Sequence, residues 1–194
     1  MKSFALLVVT LFITGISAGQ PTVWKIDPVH SNITFAVDYM VLTEVTGNFR
    51  DFSGTMISDS VNPGKSSVNV AIKTTSVTTE NDRRDSHLRS AEFFDANTFP
   101  EITFVSKSFE KGEGNAYKIA GDLTMRGVSK PVTIDAKYMG QMKDMQGKQR
   151  QGFKGVTTLN RNDFGLKYNA TLESGGVLIG NDVTVTINAQ FVQQ

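Results

Sequence analysis

The chain has 194 residues, with 20 Lys and Arg against 19 Asp and Glu, two histidines and no cysteine. A length of this kind fits one domain, since β-barrels and sandwiches can reach it undivided. The charge balance lacks the basic excess of a nucleic-acid binder, and the missing cysteines remove thiol catalysis, thiolate metal sites and disulfides together.

Met1-Lys2, the mostly apolar run Phe4–Ile16 and the small residues Ser17, Ala18 and Gly19 predict a secretory signal peptide over residues 1–19. Cleavage is expected after Ala18 or Gly19. The run is too short to cross a bilayer as a helix, so residues 20–194 are expected as an exported, soluble domain. Loss of Lys2 leaves 19 basic against 19 acidic residues. A domain of about 175 residues is large enough to be stabilised by its own core.

The mature part reads as alternating strands. Ile33, Phe35, Val37 and Tyr39 alternate with Thr34, Ala36 and Asp38, and Val68, Val70 and Ile72 alternate with Asn69, Ala71 and Lys73. The same period recurs at Val132, Ile134, Ala136 and Tyr138, and at Val183, Val185, Ile187, Ala189 and Phe191. Period two means one apolar and one wet face. Turns are predicted at Asn62-Pro63-Gly64, Gly112–Asn115, Arg126-Gly127 and Gly175-Gly176. Many antiparallel strands with short connections imply a sandwich or a closed barrel.

The stretch Thr79–Phe104 alone carries a helical pattern. Thr79 with Asp82 three residues on reads as a capping box, and Asn81 is a competing N-cap. Glu80 and Arg84, and Asp85 and Arg89, stand four apart with the acid first, the better order for a helix pair. Arg84, His87, Leu88 and Ala91 share one face. Phe93, Phe94 and Phe99 follow; Pro100 ends any helix, and Ile102 opens a strand. The result is one short helix inserted in a β chain, either a lid on an open barrel end or plain cover. His87 is then either a ligand contact or a structural histidine. Met142–Gln151 reads as a long hairpin loop, and no repeat or composition shift marks a second domain.

No familiar catalytic arrangement appears. His30 and His87 form no H-E-x-x-H pair, and there is neither a G-x-S-x-G elbow nor a phosphate-binding G-x-x-x-x-G-K-[ST] loop. Asp27, His30, Asp85 and His87 could in principle converge on a metal, but no metal or cofactor is expected.

Several motifs taken in order resemble the YceI-like family of periplasmic polyisoprenoid-binding proteins. They are Trp24-Lys25-Ile26-Asp27 with His30-Ser31; Gly47-x-Phe49 with Phe52-Ser53-Gly54; and Arg84-Asp85-x-His87-Leu88-Arg89-Ser90-x-x-Phe93-Phe94. Gly121-Asp122-Leu123-Thr124-Met125-x-Gly127-Val128 and Arg161-Asn162-Asp163-Phe164-Gly165 complete them. The resemblance spans essentially the whole mature chain. It departs where the family often has His, an apolar residue and Gly after the second strand; here Tyr39-Met40-Val41 stands.

The resemblance implies an all-β, elongated, antiparallel lipocalin-like barrel with a short helix inserted mid-chain and a long hydrophobic tunnel. It implies a binding protein without turnover, carrying or storing a polyisoprenoid, an isoprenoid quinone or a fatty amide or acid. The tail-lining candidates are Phe35, Val37, Phe94, Phe104, Leu123 and Phe153; the head-group candidates are Arg84, His87 and Tyr39. The expected partner is the lipid itself, with a homodimer allowed and stable membrane insertion not expected. The competing readings are an enzyme acting on a prenyl lipid in the same tunnel and a stress-induced barrel packed solid.

Overall fold

The computed structural model describes residues 20–171 and 177–194; the predicted signal peptide and the Gly175-Gly176 turn lie outside the described residues. The strands are β1 (Thr22–Ile26), β2 (Asn32–Tyr39), β3 (Thr43–Phe49), β4 (Phe52–Ser58), β5 (Ser67–Lys73) and β6 (Val77–Thr78). After the helix α1 (Asp82–Arg89) come β7 (Glu101–Lys111), β8 (Ala116–Met125), β9 (Val128–Lys143), β10 (Gln149–Asn160) and β11 (Ile179–Gln193). Strands β1, β4, β5, β7, β8, β9, β10 and β11 pair in that order, all antiparallel, and β11 returns to β1, closing an eight-stranded barrel. Closure leaves these strands no open edge.

The long β11 serves two neighbours. Its last residues, Phe191–Gln193, pair with β1, while Ile179 to Asn188 pair with β2. The β2–β3 hairpin therefore takes the place of β1 along the first half of β11. Strand β3 meets β6 only at Asn48 and Phe49. Helix α1 and the loop behind it fill the side left open, with the Phe94 ring edge-on to Phe49 at 5.7 Å between centroids.

The period-two pattern is what makes the wall. Ile33, Phe35 and Val37 of β2, Val68, Val70 and Ile72 of β5, and Val132, Ile134 and Ala136 of β9 all face one interior, as do the alternating residues of β11. Strand β7 breaks the period. Ile102 and Phe104 face inward, the register shifts between Ser106 and Ser108, and Phe109 then faces inward again. An extra residue at a bulge flips the parity of everything after it.

Local details differ from the sequence expectation in three places. Asn81, not Thr79, caps α1, its side chain accepting from the Arg84 backbone N–H at 3.0 Å. The i,i+4 pairs do not form: Glu80 pairs with Arg50, Arg84 turns back to Thr79, and Arg89 donates to the carbonyls of Thr75 and Val77. Lone helix pairs are worth only tenths of a kcal/mol (about 0.3–0.5), so these other partners displace them. The predicted loop Met142–Gln151 is half strand, with β9 and β10 paired as far as Lys143 and Gln149 and only 144–148 left as the turn. Asp144 holds the short turn by accepting from the N–H groups of Gln146 and Lys148 at 2.9 Å each.

Candidate functional site

Inside the barrel lies a cavity of about 240 Å³. Among its lining residues only Thr157 and Arg161 are polar. The lining joins two buried clusters. One, around Phe49, Phe93, Phe164 and Leu166, sits at the helix end; the other, around Trp24, Met56, Phe104 and Phe191, sits at the far end. Aromatic rings punctuate the path. Phe35 lies 5.9 Å from Phe49, and Phe153 lies 5.2 Å from Tyr138 and 6.3 Å from Phe191. So large a space walled by hydrocarbon holds water poorly, because water there finds no partners. The interior is hollow and of hydrocarbon character, which does not fit the barrel packed solid.

Two glycines shape this wall. Gly47 lies directly across from Phe35, and a Cβ at Gly47 would stand 2.4 Å from the Phe35 ring and 2.8 Å from the Thr78 carbonyl oxygen. A Cβ at Gly121 would stand 2.7 Å from the Phe104 ring. Each ring lies over a bare backbone, an arrangement that seals a strand where a side chain is missing. Sequence periodicity gives no hint of either.

All six tail candidates, Phe35, Val37, Phe94, Phe104, Leu123 and Phe153, line the cavity. The three head-group candidates do not. Arg84 Nε donates to Thr79 Oγ1 at 2.7 Å and Arg84 Nη2 to the Thr79 carbonyl at 3.0 Å. His87 Nε2 is bonded to Glu92 Oε2, and its ring stands edge-on between Phe93 (4.8 Å) and Tyr168 (4.7 Å). Tyr39 is exposed at the end of β2. Of the three, His87 comes nearest the wall, since Phe93 lines the cavity.

Arg161, named in the sequence only as part of a motif and not as a site residue, is the charged group in the lining. It is buried and donates to the carbonyls of Gly180 (2.7 Å), Leu166, Tyr168 (2.9 Å) and Ile179 (3.3 Å). Burial pushes its pKa down. Among the described residues no carboxylate pairs with it; backbone dipoles take that part. It fastens the turn after β10 to the start of β11 and so fixes the wall at the helix end.

The conceivable metal set falls into separate groups. Asp27 pairs with His30 at 2.8 Å and with Arg150 at 2.6 Å, while Asp85 accepts from the Thr79 N–H and hydroxyl at 2.7 and 2.6 Å. Burial pushes the Asp85 carboxyl up, but those bonds, with Thr78 and the nearby Arg89 charge, hold it below its ordinary value. Each carboxylate is spent on structure.

A profile of the YceI-like domain matches residues 24–191. Protein YceI of Salmonella newport is 40% identical over 186 residues, covering 95% of this chain and 93% of that protein; the protein of the same name from Salmonella arizonae matches to the same extent. Among solved structures, Burkholderia cenocepacia BcnA superposes with a TM-score of 0.75 at 22% identity, covering 85% of this chain and 98% of BcnA. The Campylobacter jejuni YCEI protein gives 0.68 at 28% identity, covering 100% and 99%. A polyisoprenoid binding domain from Saccharophagus degradans gives 0.65 at 15% identity, covering 90% and 100%.

Proposed function

This chain belongs to the YceI-like family, and from that premise we propose that it holds one long apolar molecule inside its barrel as a carrier or reservoir. The observation that carries the reading is the continuous apolar lining from the Phe49 cluster to the Phe191 cluster. Burying a CH₂ group is worth about 0.8 kcal/mol, so twelve bring about 10 kcal/mol gross. The cost of association removes part of this, and the remainder needs few polar contacts. The ligand class is a polyisoprenoid, an isoprenoid quinone or a fatty amide or acid, and the name of the Saccharophagus degradans domain favours the first. Phe35, Val37, Phe94, Phe104, Leu123 and Phe153 take the tail. A head group would sit at the helix end, where His87 is the first candidate, with Arg84 and Tyr39 behind it. No turnover is assigned, because among the described residues none in the lining is a nucleophile or general base beside a partner. Export to the periplasm through the leader at residues 1–19 belongs to the same reading.

Phe94 tests it. Phe94→Asp would set a carboxylate against an alkyl chain, a burial costing several kcal/mol unless the group protonates or reaches water. Retention of an added polyprenol is expected to fall far more for Phe94→Asp than for Phe94→Leu, with melting temperature as the folding control. Equal retention by a folded Phe94→Asp protein would contradict the assignment.

A further inference from the structure

The β2–β3 hairpin ends in four consecutive apolar residues, Tyr39, Met40, Val41 and Leu42, and Val41 and Leu42 are each 81% exposed. Val177 and Leu178 stand beside them. The Met40 N–H donates to the Leu178 carbonyl at 2.8 Å, Tyr39 pairs with Ile179, and Val177 is itself exposed. Exposed hydrophobic residues scattered singly need no explanation, whereas a contiguous group marks an interaction surface.

The backbone makes the arrangement more pointed. Met40 and Val41 have φ of 55° and 60°, and the Leu42 N–H donates to the Tyr39 carbonyl at 3.2 Å. Three residues connect the paired Tyr39 and Thr43, and the two with positive φ stand where Asn and Gly are favoured. A β-branched residue in the left-handed region is a genuine outlier. Strain of this sort, holding apolar side chains in water, is the type of outlier from which a function is inferred.

The tip also continues the cavity wall. Val37 lines the cavity, Tyr39 follows it on the same face of β2, and Ile179 and Val183 line the cavity from the adjoining strand. A cargo that fits this wall is insoluble in water and passes to and from a lipid phase. Charge says which surface suits the tip. Asp38 and Glu44 face each other on the next rung of the hairpin, and Asp182 is exposed on β11. That acidic collar is repelled by anionic head groups and tolerated by zwitterionic ones.

We propose that Tyr39–Leu42, with Val177 and Leu178, docks this protein on the surface of a zwitterionic lipid bilayer, inserting shallowly while cargo is exchanged. The inference rests on the lipid-binding reading above. The docking is interfacial, by buried apolar area, and needs no membrane-spanning element.

Flotation with phosphatidylcholine vesicles tests it. The wild-type chain is expected to float with the vesicles at low and high salt, and less so at low salt when phosphatidylglycerol is mixed in. The double variant Val41→Asn/Leu42→Gln keeps a residue that accepts the left-handed turn, so its fold is preserved. Its bound fraction is expected to fall at least about tenfold, a change of 1.4 kcal/mol. Polyprenol transfer out of vesicles should slow in parallel, while uptake of polyprenol from detergent stays unchanged. A wild-type chain that takes polyprenol from detergent but does not float overturns the docking proposal alone. So does a double variant that floats normally, binding that requires phosphatidylglycerol, or crosslinking from the tip to a protein rather than to lipid. A wild-type chain that takes no polyprenol from detergent overturns the lipid-binding reading itself.

Discussion

At Gly47 there is no room for a methyl group: an added Cβ would meet the Phe35 ring at 2.4 Å and the Thr78 carbonyl oxygen at 2.8 Å. The ring is a flexible side chain that can shift; the carbonyl belongs to the short contact between β3 and β6 and cannot move without loosening it. Gly47→Ala is therefore expected to cost about 1–3 kcal/mol, the usual range for overpacking. Denaturant unfolding measures this, and an unchanged midpoint would mean that β3 shifts freely. The inward role of Phe35 was legible in the alternation from Ile33 to Tyr39. The space that accepts its ring was not, because a glycine across a strand pair is invisible until register is known. Arg161 escaped for a related reason. Its acceptors are carbonyls spread from Leu166 to Gly180, and carbonyls carry no sequence signature.

Helix α1 shows how an element can be legible in outline and opaque in its contacts. The turn residues, the aromatics and Pro100 marked its neighbourhood, but of the four residues expected on one face only Leu88 lines the cavity, and Ala91 lies past the helix end. Its anchoring is polar rather than apolar. Asp85 accepts two bonds from Thr79, Arg84 returns two to the same residue, and Arg89 reaches Thr75 and Val77. Thr79, Asp85 and Val77 are all buried. Asp85→Ala leaves the Thr79 N–H and hydroxyl without that acceptor, and the expected loss is roughly 1.5–3 kcal/mol, the range for bonds to a charged group. Hydrogen exchange at the α1 amides should accelerate in this variant more than exchange in β9 or β10. Uniform acceleration would mean that the helix and barrel unfold as one unit. Strand β7 carries the same lesson, since nothing in ITFVSKSF announces the bulge that brings Phe109 back inside.

Across the whole molecule, the barrel is fastened at both ends by arginines. Arg161 holds the helix end; at the other, Arg150 bonds Asp27 at 2.6 Å, Asp144 at 2.7 Å and Gln190 at 2.8 Å, tying three segments together. Burial raises the Asp27 pKa, but bonds from His30, Arg150 and the Val29 N–H outweigh it and lower the value from 3.8 to about 2. A carboxyl depressed on folding stabilises the protein fully above its unfolded value and loses that contribution as pH falls through the folded one. About 2 kcal/mol should therefore disappear between pH 4 and pH 2, both figures being approximate. Asp27→Asn should flatten that part of the stability profile; an equally steep loss in the variant would place the acid sensitivity elsewhere. The closed barrel, the one short α-helix among the described residues and the apolar interior were readable from periodicity and motif order. The hollowness was legible only through the resemblance, because alternation looks the same in a filled barrel and an open one.

The most direct test of the central claim is native mass spectrometry of the mature protein purified from its own host. The expected result is a complex carrying one apolar molecule per chain, released on unfolding and replaced by added polyprenol. A bare chain mass that also takes up no added polyprenol would contradict the account.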